Sequence, residues 1–308
     1  MNNLVVIGVP SSAGARRVGQ DKAPQSFRRA GLIDSLRDRG LEVRDFGDLD
    51  HVKFKPDPEN PKQQNLALVC DVARRVAEEV SAAAEDQERV IVLGGDCTIT
   101  LGVLAGVIPH APNLGLLYFD GDVDLNTPST TTSGIFDGMV MSHITGGGAE
   151  ALAQIGPRHP LVSEEKIVLF GYNVEAGCID PPEIEKLAKS SILQYPMPEI
   201  RENLEHAAIE ALTRLESQVD RVLIHFDVDV MDHRDFPAAD VLHEHGLSFD
   251  DAMAVLKIFT SSSKFAGLVI TEFNSDRDED GSLARRLVGA LVRILVNAER
   301  SWGATVLP

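Results

Sequence analysis

The chain has 308 residues, 44% hydrophobic and 25% charged, enough for a large core. That composition excludes a collagen, a disordered tail and a disulfide miniprotein. Asp and Glu number 47 against 29 Lys and Arg, and a net charge of -18 argues against a nucleic-acid partner.

Short apolar runs alternate with amphipathic stretches along the chain. A strand is predicted at 4-9 (LVVIGV), a helix at 24-39 and a strand at 41-46. Pro24 suits a first helical turn and Gly40 a position just past the helix end. A polar, Pro-rich loop at 53-62 is followed by a helix at 62-85, a strand at 89-94 and a helix at 97-108. Strands follow at 114-120 and 166-171, a helix at 182-189, a strand at 191-195 and a helix at 199-218. The rest reads as a strand at 221-230, a helix at 248-260 with Ser248 as its N-cap, a strand at 265-271 and a helix at 282-299. Most strand candidates are nearly continuous Val, Ile and Leu, which suits strands buried on both faces. One parallel sheet of about eight strands is expected, helices on both sides, in a single domain over 1-308.

Cys70, Cys97 and Cys178 are too few and too scattered for a disulfide framework or a Cys-rich zinc site. The start, MNNLVVIGVP, lacks a basic n-region, and no run approaches the ~20 apolar residues of a membrane span. A reduced, cytoplasmic setting without membrane attachment is expected.

Acid is dense at two strand ends. YFDGDVD carries Asp120, Asp122 and Asp124; HFDVDVMD carries Asp227, Asp229 and Asp232. On a strand, residues two apart share a face, so each group is expected to project carboxylates from one side. Clustered carboxylates at the top of an apolar sheet are costly without counterions, and two divalent cations would relieve that cost. An oxygen-rich set favours Mn²⁺ or Mg²⁺ over zinc or copper. The alternative is that some of these acids cap loops or pair with arginine. Cys97, in VLGGDCT, reads either as a small buried hydrophobe or as a thiolate ligand activated by a helix N-terminus.

These motifs resemble the ureohydrolase family, in its arginase branch. The opening, VIGVPSSAGARRVGQDKAPQSFRRAGLIDSLRDRGLEVRDFGDLD, is similar to the arginase N-terminal region. GGDC stands for the family's G-G-D-H, DGDVDLNTP for D-x-H-x-D-x-N-T-P, HFDVDVMD for S-x-D-x-D-x-x-D, and VITEFN contains Glu272. The resemblance implies a three-layer α/β/α sandwich around a parallel eight-stranded sheet. It also implies two Mn²⁺ ions per chain, holding a bridging hydroxide that attacks a guanidino carbon. It places Cys97, Asp120, Asp124 and Asp227 around one ion, and Asp120, Asp122, Asp227 and Asp229 around the other. Asp124, Asp137 and Glu272 become the catalytic candidates.

Three family histidines are absent, with Cys97, Asp122 and Asp137 in their places. More anionic ligands make a weaker Lewis acid. His143, six residues after Asp137, is a candidate for the lost imidazole, though a lone histidine on a helix is more often structural. His225, His233, His243 and His245 lie near acidic segments without a spacing that argues for ligation. In DLNTPSTTTSG, the resemblance assigns Asn126, Thr131 and Ser133 to a substrate carboxylate; in GYNVEAGCID, Glu175 is the candidate for the α-amino group.

The implied activity is hydrolysis of a guanidino C–N bond in arginine or an arginine-like amino acid, releasing urea or a substituted urea, in arginine metabolism. N-hydroxy-arginine is a candidate substrate, because Cys97 resembles hydroxyarginine-hydrolysing relatives. A formiminoglutamase-like hydrolase and a non-catalytic binding protein remain open alternatives. The family forms homotrimers or homohexamers, so such an oligomer is expected.

Overall fold

The computed structural model describes residues 4–84, 88–174 and 179–302. Its centre is an eight-stranded, all-parallel sheet. The strands are β1 (Leu4–Gly8), β2 (Val43–Asp48), β3 (Arg89–Leu93), β4 (Leu114–Phe119), β5 (Ile167–Phe170), β6 (Leu193–Tyr195), β7 (Arg221–Asp227) and β8 (Phe265–Thr271). Their spatial order is β2-β1-β3-β8-β7-β4-β5-β6. The last two strands in sequence thus insert between β3 and β4 at the centre, where the chain's winding changes direction. In open parallel sheets, that is where strand ends part and leave a crevice.

The longer helices are α1 (Ala23–Arg29), α2 (Leu32–Asp38), α3 (Leu66–Ala84) and α4 (Ile99–Val107). The short α5 (Val140–Ile144) and α6 (Glu150–Ala153) precede α7 (Pro181–Lys189), α8 (Met197–Ile200) and α9 (Leu204–Glu216). The series ends with α10 (Phe249–Thr260) and α11 (Ser282–Trp302). Strand periodicity divides the core in two. Leu4, Val6, Leu117, Phe119, Ile224 and Phe226 pack with residues of α1, α2, α9, α10 and α11. Val5, Ile7, Leu116, Tyr118, Leu223 and Val269 pack with α3, α4 and α5. Both faces of the sheet are therefore covered by apolar helix stripes, as the unbroken Val/Ile/Leu runs predict.

The structure departs from the sequence reading at several ends. The helix expected over 24-39 is two helices, broken where Gly31 adopts φ 84. The helix expected at 62-85 begins only at Leu66, and the one at 199-218 divides into α8 and α9. The strand expected over 221-230 stops at Asp227, and Val228–Val230 form a 3₁₀ turn in which Asp227 Oδ1 accepts the Asp229 N–H at 2.8 Å. Ser248 caps α10 as predicted, accepting from the Asp251 N–H. Gly40, at φ 92, follows α2 just past its end.

Candidate metal centre

The tips of β3, β8, β7 and β4, neighbours in the sheet, surround a cavity of about 600 Å³. Its lining includes Cys97, Asp120, Asp122, Asp124, Asp137, Asp227, Asp229 and Glu272. The turn after β3 can enter it because Gly94 and Gly95 lack side chains. A Cβ on Gly94 would lie 2.1 Å from the Ile270 carbonyl oxygen, and one on Gly95 2.3 Å from that of Ser11.

The acids do not converge through strand pleating, as the two-residue spacing suggested. β4 ends at Phe119, so Asp120, Asp122 and Asp124 lie on the loop beyond it. Local hydrogen bonds aim them instead. Asp120 Oδ1 accepts the Asp122 N–H at 2.7 Å, and Asp229 Oδ1 accepts the Gly121 N–H at 3.2 Å. Asp124 adopts φ 52, and the Tyr118 hydroxyl donates to its Oδ2 at 2.5 Å. Glu272 also has a left-handed backbone, φ 62. Two non-glycine residues in this sparsely populated region store strain within the site.

Two groups of ligand atoms result, each drawn within 4.8 Å. One comprises Cys97, Asp120, His225 and Asp227, and the other Asp122, Asp229 and His243. In the first, Cys97 Sγ donates to Asp227 Oδ2 at 2.7 Å and His225 Nε2 lies 3.2 Å from Asp120 Oδ2. In the second, His243 Nε2 lies 3.2 Å from Asp122 Oδ2 and 3.9 Å from Asp229 Oδ2. A third group, Cys97, Asp137 and Glu272, adjoins them; both carboxylates accept the Cys97 N–H, at 2.8 and 3.0 Å. Asp124 lines the same cavity but joins none of these groups.

Among the described residues, no lysine or arginine pairs with Asp120, Asp122, Asp124, Asp227 or Asp229. Burial, then the charge of Asp227, pushes the Asp120 carboxyl well above its ordinary value. Asp229 is raised in the same way, and burial raises Asp227 to about 6. Burial and then Asp227 push the Cys97 thiol up. Buried, mutually repelling carboxylates beside a thiol and two imidazoles form a donor set that divalent cations would satisfy.

The substrate-loop candidates face the same cavity. Asn126, Thr131 and Ser133 line it, with Thr131 Oγ1 accepting the Gly134 N–H at 3.0 Å. Loop 53-65 braces them from behind: Lys62 donates to the Thr131 carbonyl and Gln64 Nε2 to that of Ser133. Glu175 lies outside the described residues. Asp180, five residues on, lines the cavity and accepts from Asn126 Nδ2 at 3.1 Å. Glu183 buttresses it, accepting the Asp180 and Leu125 N–H groups at 3.1 and 2.9 Å; burial lifts its carboxyl to about 7.

Sequence reasoning set His225 and His243 aside for want of a ligand spacing and missed Asp180. Only for His225 was there a signal, its position two residues before Asp227 on the same strand. His143 is not at the site. Its Nδ1 donates to the Met139 carbonyl at 2.6 Å and its Nε2 accepts the Ala149 N–H at 3.0 Å.

A buried carboxylate cage at the C-terminal strand ends of a parallel α/β sheet makes a candidate site for divalent cations. The arginase-family model matches residues 2–296, and the chain belongs to that family: it is a hydrolase of the ureohydrolase type. The arginase of Bacillus subtilis (strain 168) is 30% identical over 294 residues, covering 94% of this chain and 97% of that one. The arginase of Staphylococcus aureus (strain MRSA252) is 31% identical over 292 residues, covering 92% and 93%. The solved arginase of Bacillus cereus matches all of both chains with a TM-score of 0.85 at 28% identity. Formimidoylglutamase of Bacillus subtilis, at 18% identity and a TM-score of 0.77 over 100% of this chain and 89% of that one, shares the fold. The family is metal-dependent, and no helix among the described residues is long and apolar enough to cross a membrane.

Proposed function

We propose that this chain hydrolyses the guanidino C–N bond of arginine or N-hydroxy-arginine, releasing urea or hydroxyurea. The observation that carries this reading is one cavity that joins the carboxylate cage to a polar amino-acid pocket. Cys97, Asp120, Asp122, Asp227 and Asp229 would hold two divalent ions, for which Mn²⁺ is the reference, and Asp124 faces them from the wall of the same cavity. Bound ions supply a Lewis acid and a water ionised near neutral pH.

The remaining chemistry belongs to the chain. Asn126, Thr131 and Ser133 present amide and hydroxyl donors to the substrate carboxylate, and Asp180 takes the α-amino group in place of Glu175. Asp137 and Glu272, both anchored on the Cys97 N–H, orient the planar guanidinium by accepting its N–H groups. Asp137 stands where the resemblance has a histidine and would take up the proton lost by the attacking water and pass it to the leaving amine. N-hydroxy-arginine suits a less electrophilic ion pair because its hydroxyguanidine is less basic.

With added Mn²⁺, urea release from arginine or hydroxyurea release from N-hydroxy-arginine supports the proposal. Formamide from formiminoglutamate would move the substrate to that class, and no turnover of any guanidino or formimino compound would remove the reading. Assembly as a homotrimer or homohexamer and residence in the cytoplasm belong to the same proposal; light scattering checks the first.

A further inference from the structure

The sequence lacks imidazoles at positions 97 and 122, yet each half of the cage contains one. His225 is fully buried, and its ring lies flat against Tyr118, with centroids 4.0 Å apart and planes at 3°. The Thr100 hydroxyl, on α4, meets Nδ1 at 2.8 Å. That leaves Nε2 aimed into the cage, 3.2 Å from Asp120 Oδ2 and 3.6 Å from Cys97 Sγ. A ring held at one nitrogen and directed by the other is how a ligating histidine is usually set. His243 arrives from the loop after β7. That loop is closed at its base, where Asp232 N–H donates to the Leu247 carbonyl and Leu247 N–H to that of Val230. The closure returns His243 Nε2 to Asp122 and Asp229.

We propose that the two ion positions are chemically unlike: an inner one formed by Cys97, His225, Asp120 and Asp227, which takes a borderline ion such as Zn²⁺ or Co²⁺, and an outer one formed by Asp122, Asp229 and His243, which takes Mn²⁺. The inner set offers one sulfur, one nitrogen and two carboxylates, the mixed donors that borderline ions prefer. The outer set offers one nitrogen and carboxylate oxygens, which suit a harder ion. Each half thus holds one imidazole and two carboxylates, and the two differ by the Cys97 sulfur on the sheet side of the cage. This inference rests on the metal-dependent reading above and refines its reference ion.

The test is metal loading, read without turnover. The full chain is stripped with chelator and offered one equivalent per chain each of Zn²⁺ and Mn²⁺. The expected result is one of each per chain by elemental analysis, with one sulfur and at least one imidazole around zinc by X-ray absorption. Co²⁺ in place of Zn²⁺ gives a thiolate-to-cobalt charge-transfer band, which Cys97→Ser abolishes. His225→Ser weakens Co²⁺ binding tenfold or more, whereas His243→Ala weakens only Mn²⁺ binding by that factor. Circular dichroism of the stripped variants checks that they fold, and the wild-type absorption spectrum needs no variant. Two like ions per chain, zinc without sulfur or imidazole, or no ion uptake would each overturn the inference. Unlike ions bound as described without guanidino hydrolysis would uphold it and sink the proposed reaction alone.

Discussion

Replacing His143 with alanine separates a structural histidine from a catalytic one. The ring is fully buried, and both of its nitrogens are engaged with backbone. Gly148 passes so close that a Cβ there would lie 2.5 Å from Nε2. His143→Ala takes the side-chain partner from the Met139 carbonyl and the Ala149 N–H, and at 1–3 kcal/mol for each buried group the loss at pH 7.5 is about 2–6 kcal/mol. A second effect depends on pH. Burial lowers the His143 pKa to about 4, against 6.5 for an ordinary histidine. Between those values the unfolded chain takes up a proton that the native ring refuses, because a protonated Nε2 could no longer accept from Ala149. Stability from this group is complete above pH 6.5 and falls as pH drops towards 4, by about 2.5 kcal/mol at pH 4.5. The variant has no such loss, so its deficit shrinks by that amount on acidification. Urea unfolding of both proteins in chelator, at pH 7.5 and 4.5, measures the gap. A gap independent of pH, or a variant of unchanged stability with a large loss of kcat, would refute the reasoning.

Cys97→His alone puts an imidazole where Sγ already lies 3.6 Å from His225 Nε2. Overpacking is expected to cost about 1–3 kcal/mol and to lower metal uptake, with partial recovery when His225→Ser is added; thermal melts and elemental analysis check this, and a stable, fully loaded single variant contradicts it. Asp180→Asn should lower kcat/KM for arginine about tenfold or more, because a hydrogen bond to a charged group is worth about 1.5–3 kcal/mol. Guanidinobutyrate, which has no α-amino group, should change by no more than a few-fold, and an equal loss on both substrates would exclude Asp180 from amino recognition. In chelator the native state retains protons on Asp120 and Asp229, held above their ordinary values first by burial and then by Asp227, that the unfolded chain has released. Above pH 6.5, where the His143 contribution is complete, stability should therefore fall as pH rises to 8, and saturating divalent ion should add about 4 kcal/mol at a thousandfold excess over Kd. Melting curves that rise with pH in chelator over that range would contradict that.

The parallel fold was legible because its determinants are local. Runs such as LVVIG and RVIVL, short and rich in β-branched residues, suit strands covered on both faces, and each is a strand of the sheet. The strand ends were less legible. In HFDVDV the apolar alternation continues past Asp227, but the Asp227 carboxylate captures the Asp229 N–H and turns the chain into a 3₁₀ helix. Local side-chain capture competes with the ladder there, and hydrophobic patterning does not register it.

The presence of a carboxylate cage could be argued from Asp120, Asp122, Asp227 and Asp229 alone, since so much acid beside apolar strands needs a counter-charge. Its composition could not. His225 meets Asp120 across 105 positions, and His243 meets Asp122 across 121. Neither contact leaves a trace in spacing, because strand order and loop closure set those distances. Composition and apolar period thus determined which segments are strands and where negative charge accumulates. Only the folded chain, by inserting β7 and β8 between β3 and β4, decided which nitrogen and sulfur atoms meet that charge: side-chain chemistry is carried by each residue, but proximity belongs to the topology.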